Sequence, residues 1–215
     1  MAAQRRPSWF YHEVFMSDRS EALQSFLDAS LAAYDQFAQA PESRRSVGQI
    51  FSALEEPGAQ RSGPGGRLPV CSHLDTALAI ETEHESLRRL VDQFKAIEPQ
   101  LEWRRRTNPD SSASDNFEVG HANAMIVGPG GLEDRRDLWF GVTLMAPNVR
   151  YPDHDHAPEE VYLVLSEGEF RQGEAAWFSP GIGGSFYNPP AIKHAMRSVD
   201  TPLFAFWVLL ADRPA

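Results

Sequence analysis

The first half of the chain carries apolar residues at helical spacing. Asp18 and Glu21, three positions apart, resemble a capping box that opens a helix. Apolar residues then recur every three or four positions, at Leu23, Phe26, Leu27, Leu31, Tyr34 and Phe37. Pro41 can start a second helix, and a third apolar pattern runs through residues 74–97 before a proline ends it. We therefore predict three helices, with a Gly/Pro-rich loop at residues 55–69.

From Phe117 onward the apolar positions follow the pattern of short strands. Predicted strands cover residues 117–121, 124–127, 138–146, 161–165, 175–178, 184–187, 193–199 and 203–210. Many short strands joined by Gly/Pro turns are typical of a β-sandwich or barrel. The sequence predicts a mostly β fold with a helical N-terminal part, an α+β class. In this interpretation residues 1–110 form a helical region that packs on a β-barrel of residues 111–215.

Composition and charge narrow the function classes. A net charge of −10 argues against a nucleic-acid partner, which favours basic patches. The chain has no run of 18 apolar residues, and Pro7 and Ser8 stand where a signal peptide needs an apolar core. We therefore expect a cytoplasmic protein without a membrane partner. The single cysteine, Cys71, excludes an internal disulfide and agrees with a reducing compartment.

His154, His156 and Glu160 form the pattern His-x-His-x3-Glu directly before an apolar run at residues 161–165. Residues two apart on an extended segment point to the same face, so the two imidazoles point together. With Glu160 they form a ligand set for one divalent transition metal, which can be Fe(II), Zn, Mn or Co. Three ligands leave coordination positions open. The alternative is a pair of solvated loop histidines. The strand and glycine turn that follow the motif favour the metal site.

His194 is the candidate fourth metal ligand. It follows Pro189 and Pro190 and precedes another short strand-like run. The alternative interpretation is a hydrogen-bonded strand histidine without a metal. Histidine and carboxylate ligands suit a catalytic metal better than a closed structural site, which usually relies on cysteine.

Two tyrosines are the candidate catalytic residues. Tyr162 lies two positions after Glu160, so its hydroxyl is expected on the metal side of the strand. Tyr151 precedes His154 by three positions and can reach the same cavity. A tyrosine normally loses its proton near pH ~10, but a neighbouring divalent cation favours the phenolate. Tyr162 can then serve as a general base; the alternative is a rim tyrosine that packs and donates a hydrogen bond.

Residues 150–168 resemble the first cupin motif, and residues 188–194 resemble the second. The second motif departs from the pattern at Ala191, where cupins usually carry glycine, and at Ser198, where they carry asparagine. A closer similarity is to cupin-type bacterial dimethylsulfoniopropionate (DMSP) lyases of the DddL/DddQ group. It rests on Tyr-Pro-Asp-His-Asp-His-x-Pro-Glu-Glu-Val-Tyr-Leu-Val-Leu-Ser from Tyr151 and on Pro-Pro-x-x-x-His-Ala-Met-Arg-Ser from Pro189. The resemblance implies a single cupin barrel after the helical region.

The resemblance also implies a reaction, the β-elimination of DMSP to dimethyl sulfide and acrylate. The metal would bind the substrate carboxylate as a Lewis acid, and Tyr162 would abstract the α-proton. Aromatic faces can hold the sulfonium through cation–π attraction. The candidates for this contact are Tyr151, Trp177, Phe178, Tyr187, Phe206 and Trp207. Because neighbouring strand residues face opposite ways, Phe206 and Trp207 cannot both line the pocket.

Two other functions stay open on the same residues. An Fe(II) dioxygenase would use the same ligands and consume oxygen, and a non-enzymatic cupin would bind a small ligand as a sensor or store. The near-complete ligand set and Tyr162 favour an enzyme. The expected partner is a small-molecule substrate, and the helical half offers a possible homodimer surface.

Overall fold

The computed structural model describes residues 19–107 and 109–211. Its helices are α1 (Glu21–Phe37), α2 (Pro41–Ala53), α3 (Leu74–Ala77), α4 (Glu85–Ile97) and α5 (Phe117–Gly120), with 3-10 turns at Pro69–His73 and Glu98–Gln100. Its strands are β1 (Ala59–Gln60), β2 (Trp103–Arg104), β3 (His121–Val127), β4 (Glu133–Asp134), β5 (Leu138–Met145), β6 (Arg150–His154), β7 (Glu160–Val164), β8 (Glu169–Gln172), β9 (Ser185–Asn188), β10 (His194–Arg197) and β11 (Leu203–Leu210). A helical region therefore precedes a sheet-rich domain, as the apolar pattern predicted.

The helix boundaries differ from the predicted ones at two places. The N-cap of α1 is Ser20, whose hydroxyl oxygen accepts a hydrogen bond from the amide of Leu23 at 3.3 Å. Asp18, the expected cap, lies outside the described residues. The third predicted helix is interrupted between α3 and α4. There the Thr82 hydroxyl oxygen accepts a hydrogen bond from the amide of His84 at 3.2 Å. Such a local side-chain bond competes with helical hydrogen bonding, and the spacing of apolar residues does not reveal it.

Two strand predictions were wrong. Residues 117–120 form α5, whose helical turn stacks the Phe117 ring on the His121 imidazole at 3.7 Å between centroids. Residues 175–178 contribute only a bridge between Phe178 and Phe170. Strand β8, which was absent from the predicted strands, begins at Glu169, where β10 supplies its hydrogen-bonding partner.

The strands form two sheets. The larger has eight strands in the order β1-β4-β3-β5-β11-β7-β9, with β2 paired to β3, and the smaller has the order β6-β10-β8. Neighbours are antiparallel except for the β3–β4 pair. Apolar side chains from both sheets pack together between them, including Met145, Val164, Phe170, Met196 and Ala205. These two sheets enclose an apolar core, as expected for the predicted β-sandwich or barrel.

Strand β11 shows how the larger sheet serves two cores. Phe204, Phe206 and Val208 belong to the core shared with the helices, whereas Leu203 and Ala205 belong to the core between the sheets. This alternation follows from the two-residue period of a strand. The helical region thus covers the face of the larger sheet that points away from the smaller one. The domain boundary at residue 110 stays a prediction, since a single apolar core spans both parts.

The structure also describes the apolarity of the helices and the surroundings of the single cysteine. Among the described residues, no helix combines the length and the apolarity needed to cross a membrane. Cys71 is buried, and this burial raises the pKa of its thiol. A raised pKa disfavours the reactive thiolate.

Candidate metal centre

Three of the four predicted metal ligands converge. Glu160 opens β7 and His194 opens β10, while His156 lies in the loop between β6 and β7. One ligand atom from each of these three residues lies within 4.8 Å of the other two. Strand pairing creates this proximity, because β10 runs beside β6 and carries His194 to the end of β6.

His154 lies beside this triad and is not part of it. Its ring centroid is 4.1 Å from that of His194 and 6.4 Å from that of His156. Burial, together with the neighbouring His194, lowers the pKa of His154 to about 3, so its imidazole is neutral at physiological pH. Its role as a fourth ligand stays a prediction.

All three histidines direct Nδ1 to a backbone carbonyl. The bonds measure 2.9 Å for His154, 2.8 Å for His156 and 2.9 Å for His194. The acceptors lie two residues away in sequence, at Pro152, Pro158 and Ile192 respectively. When Nδ1–H donates to a carbonyl, the Nε2 lone pair is left to bind a metal. The local backbone therefore prepares each imidazole as a ligand through Nε2.

Two buried nitrogens lack a hydrogen-bond partner at the centre of the triad. Nε2 of His156 and Nε2 of His194 each lie 3.3 Å from the same Oε2 of Glu160, without the alignment of a hydrogen bond. Leaving buried polar atoms unpaired costs free energy. A cation bound between them would satisfy both nitrogens. Two imidazoles and a carboxylate also form a donor set that Fe(II), Zn, Mn and Co accept.

Glu160 supplies a negative charge at the centre. Burial alone raises the pKa of Glu160, but the imidazoles of His156 and His194 outweigh it and hold that pKa well below its usual range. Burial lowers the pKa of His156, and the contact with Glu160 outweighs that effect and raises it. The carboxylate is therefore ionised in its buried position, which favours a bound cation.

The Glu160 carboxylate is oriented by two amide side chains that sequence reasoning missed. Asn188 donates to Oε2 of Glu160 at 3.0 Å, and Gln172 donates to Oδ1 of Asn188 at 2.6 Å. Asn188 stands at the start of the second motif, which is a signal that could have identified it. Gln172 carries no local signal, because only the pairing of β8 with β10 places it opposite His194.

Tyr162 is 2% exposed and stacks on Phe186, with 5.1 Å between ring centroids and 16° between planes. Phe186 is its direct partner across the β7–β9 pair. Burial raises the pKa of Tyr162 well above 10, and the negative charge of Glu160 raises it further. The hydroxyl therefore keeps its proton at neutral pH unless positive charge is placed beside it.

Tyr151 is also buried, but its neighbours differ. Asn123 donates to its hydroxyl oxygen at 3.0 Å, and the guanidinium carbon of Arg106 lies 5.7 Å from its ring centroid. Burial raises the pKa of Tyr151, while Asn123 and Arg106 act in the opposite direction. Asn123 was missed from sequence, although it lies two residues after His121 on a strand.

Both tyrosines line a cavity of about 230 Å³. His154, His156 and Glu160 also line it, with the rings of Trp139 and Trp207. The other aromatic candidates lie elsewhere. Phe206 belongs to the core beneath the helices, and Trp177 lies against three guanidinium groups, those of Arg150, Arg171 and Arg197. The cavity therefore brings together His154, two members of the triad, two tyrosines and two tryptophans.

Residues 42–205 match the family model for DMSP lyases. The DMSP lyase DddQ of Ruegeria pomeroyi DSS-3 is 30% identical over 122 residues, which cover 56% of this chain and 60% of that protein. The chain thus aligns with less than two thirds of that curated relative.

Two solved structures share the fold at 24% sequence identity. One comes from the crystal structures of the DMSP lyases RdDddP and RnDddQII, with a TM-score of 0.71 over 90% of this chain and 96% of that one. The other is the DMSP lyase DddQ from Ruegeria pomeroyi DSS-3, with a TM-score of 0.70 over 92% and 95%. The family model covers well over half of the sequence, and the chain therefore belongs to the DMSP lyase family of enzymes.

Proposed function

We propose that this protein is a metal-dependent DMSP lyase that cleaves DMSP to dimethyl sulfide and acrylate by β-elimination. The observation that carries the proposal is the triad of His156, Glu160 and His194, two of whose members, His156 and Glu160, line a cavity shared with Tyr151 and Tyr162. Family membership supplies the substrate, and the cavity supplies the groups that the reaction needs.

His156, Glu160 and His194 would hold the metal, with His154 as a candidate fourth ligand. A divalent cation bound there supplies Lewis acidity to the substrate carboxylate and positive charge beside the Tyr162 hydroxyl. β-Elimination involves no change of oxidation state at the metal, so Fe(II), Zn, Mn and Co are all compatible with it.

Tyr162 is the proposed general base. Burial and Glu160 hold its pKa above 10, so its deprotonation at neutral pH depends on the charge of the metal centre. The phenolate oxygen takes the α-proton of the substrate. The electron pair of that C–H bond forms the Cα–Cβ double bond, while the Cβ–S bond breaks and its pair stays on sulfur. Dimethyl sulfide leaves as a neutral molecule, acrylate remains, and the proton resides on Tyr162.

The cavity suits a small sulfonium substrate. Its volume of about 230 Å³ is below the ~300–1,000 Å³ typical of pockets for drug-sized ligands. Trp139, Tyr151, Tyr162 and Trp207 line the cavity, and aromatic rings can hold a cation through cation–π attraction. Glu160 is the only carboxylate among the described lining residues, and in this proposal it binds the metal. The sulfonium is therefore held by rings rather than by a hard anion, which suits a leaving group that departs neutral.

The test is headspace dimethyl sulfide from purified protein loaded with Fe(II), Mn, Co or Zn and mixed with DMSP. A chelator-treated sample is the control, and acrylate measured by proton NMR should equal the gas in amount. We expect both products with metal and neither after chelation. Absence of both products with all four metals would refute the lyase, and an oxygen electrode would then separate an Fe(II) dioxygenase from a ligand-binding cupin.

A further inference from the structure

A chain of hydrogen bonds crosses the larger sheet and ends at Tyr151. The Trp207 indole N–H donates to Oγ1 of Thr143 at 3.1 Å, and the Thr143 hydroxyl donates to Oδ1 of Asn123 at 2.7 Å. The Asn123 amide then donates to the Tyr151 hydroxyl oxygen at 3.0 Å. All four side chains line the site cavity. Thr143 and Asn123 are direct partners across β3 and β5, so the backbone register sets their contact.

The chemistry of its first member agrees with the direction of this chain. An indole N–H can only donate, so Thr143 accepts from Trp207 and has its own proton left for Asn123. With the Thr143 proton on Oδ1, the oxygen of the Asn123 amide faces Thr143 and its NH₂ group faces Tyr151. The Tyr151 oxygen accepts from Asn123, so its own proton is left to be donated into the cavity.

Gly141 makes room for the first bond of the chain. It pairs with Trp207 across β5 and β11, and a Cβ at Gly141 would lie 2.2 Å from both Cζ2 and Cη2 of the indole. No larger residue leaves space for the ring in this position. Thr143 lies two residues further along β5, on the same face of the strand. Glycine at position 141 thus lets the indole lie across β5 with its N–H at Thr143.

We propose that Trp207, Thr143 and Asn123 are positioning residues that fix Tyr151 as a hydrogen-bond donor to the substrate. The inference rests on the proposed lyase function and assigns the two tyrosines different tasks. Tyr162 takes the α-proton, and Tyr151 donates to the substrate carboxylate, where negative charge builds as that proton leaves. A donor oriented before the reaction stabilises such charge without reorganising during it.

The variant Asn123→Asp tests the direction of the chain. Both carboxylate oxygens of the aspartate accept, so Tyr151 would have to donate to it and would turn its proton away from the cavity. We expect kcat to fall ~10²–10³-fold, as on the loss of one donor to a developing anion, with little change in KM. Metal content measured on the same sample separates this effect from loss of the ion. Wild-type kcat in a variant with full metal content would overturn the assignment of Tyr151 as donor.

Thr143→Val tests whether the chain of hydrogen bonds acts on turnover through Tyr151. It removes the linking hydroxyl without adding charge, and we expect it to lower kcat in the wild type but not in a Tyr151→Phe background. Thr143→Ser keeps the hydroxyl and should recover most of the lost turnover. An equal loss of kcat in both backgrounds would show that Thr143 acts by packing and would overturn the positioning role.

The Trp207 indole N–H resonance gives a readout that does not depend on activity. In ¹⁵N–¹H spectra we expect it to move upfield in Thr143→Val, where its acceptor is gone, and to stay near its wild-type position in Tyr151→Phe. An unchanged resonance in Thr143→Val would refute the hydrogen-bond chain even in an active lyase. An enzyme that releases no dimethyl sulfide would refute the proposed function while this measurement still tests the chain.

Discussion

The two buried tyrosines show how neighbours differentiate identical side chains. Burial raises the pKa of both Tyr151 and Tyr162. Glu160 raises the pKa of Tyr162 further, whereas Asn123 and Arg106 oppose the increase at Tyr151. Enzymes commonly assign acid and base tasks by such differences in environment. In the proposed mechanism Tyr162 depends on the metal centre for deprotonation, and Tyr151 donates a hydrogen bond.

Tyr162→Phe removes only the hydroxyl of the proposed base. The ring keeps its stacking on Phe186, so we expect the metal to stay bound and the fold to be unchanged. Turnover should fall by ~10²–10⁴-fold, the usual contribution of a general base. Metal analysis and dimethyl sulfide release from the same preparation check this. Full activity would remove Tyr162 as the base.

The four predicted ligands should not contribute equally to metal binding. Nε2 of His194 lies 3.3 Å from Glu160 and is buried without a partner, whereas His154 lies outside the group of converging ligand atoms. We expect His194→Ala to lose most of the metal and His154→Ala to retain a larger share. Elemental analysis after dialysis against one metal buffer compares the two variants. Equal loss of metal from the two variants would show that His154 contributes as much to metal binding as His194.

At the scale of elements, a buried carboxylate joins the start of α1 to β4. Glu133 is fully buried, and its oxygens accept from Arg19 at 2.6 and 3.0 Å, from the Gly58 amide at 2.9 Å and from Gln60 at 3.1 Å. Burial raises the pKa of Glu133, but these donors outweigh burial and lower it. The carboxylate thereby connects the helical region to the edge of the larger sheet.

This lowered pKa predicts a loss of stability in acid. The contribution of Glu133 is fully present above the unfolded pKa of ~4.3 and is lost as pH falls through the lower folded value. Glu133→Gln should lower the unfolding free energy at pH 7 by ~1.5–3 kcal/mol, since it weakens bonds to a charged acceptor. The difference between wild type and variant should shrink from pH 5 to pH 3. Urea unfolding across that pH range measures this difference in unfolding free energy. A difference that stays constant with pH would contradict a lowered pKa for Glu133.

Across the whole molecule, helices and barrel share an aromatic core. Phe26 of α1 is fully buried, with its ring centroid 5.3 Å from that of Phe140 and 5.6 Å from that of Phe206. The ring centroid of Phe94, on α4, lies 5.3 Å from that of Phe206. Because these contacts cross between the two parts, we expect the parts to unfold together.

Phe26→Ala should destabilise the molecule by ~3–5 kcal/mol, the usual range for removing a buried phenylalanine ring. Leu31→Ala on the same helix is the control, because Leu31 is 38% exposed and should change stability much less. Denaturant unfolding followed by circular dichroism and by tryptophan fluorescence should give coincident transitions. Separate transitions would show that the helical region and the barrel unfold independently.

The sequence by itself determined the helical first half, the sheet-rich second half and the candidate ligands. These features depend on spacings of two to four residues, which neighbouring residues encode directly. The predicted strand at residues 203–210 agrees with β11, and α2 begins at Pro41 as predicted. Family membership could also be inferred from sequence, because both motifs are short and contiguous.

Only the tertiary structure decided which of these residues meet. Strand pairing set His194 opposite His154, and the ligand atoms that lie within 4.8 Å of one another come from His156, Glu160 and His194. The bonds from Trp207 through Thr143 and Asn123 to Tyr151 join residues 20 to 64 positions apart. No local pattern encodes such contacts, because they depend on the register between strands that are distant in the chain.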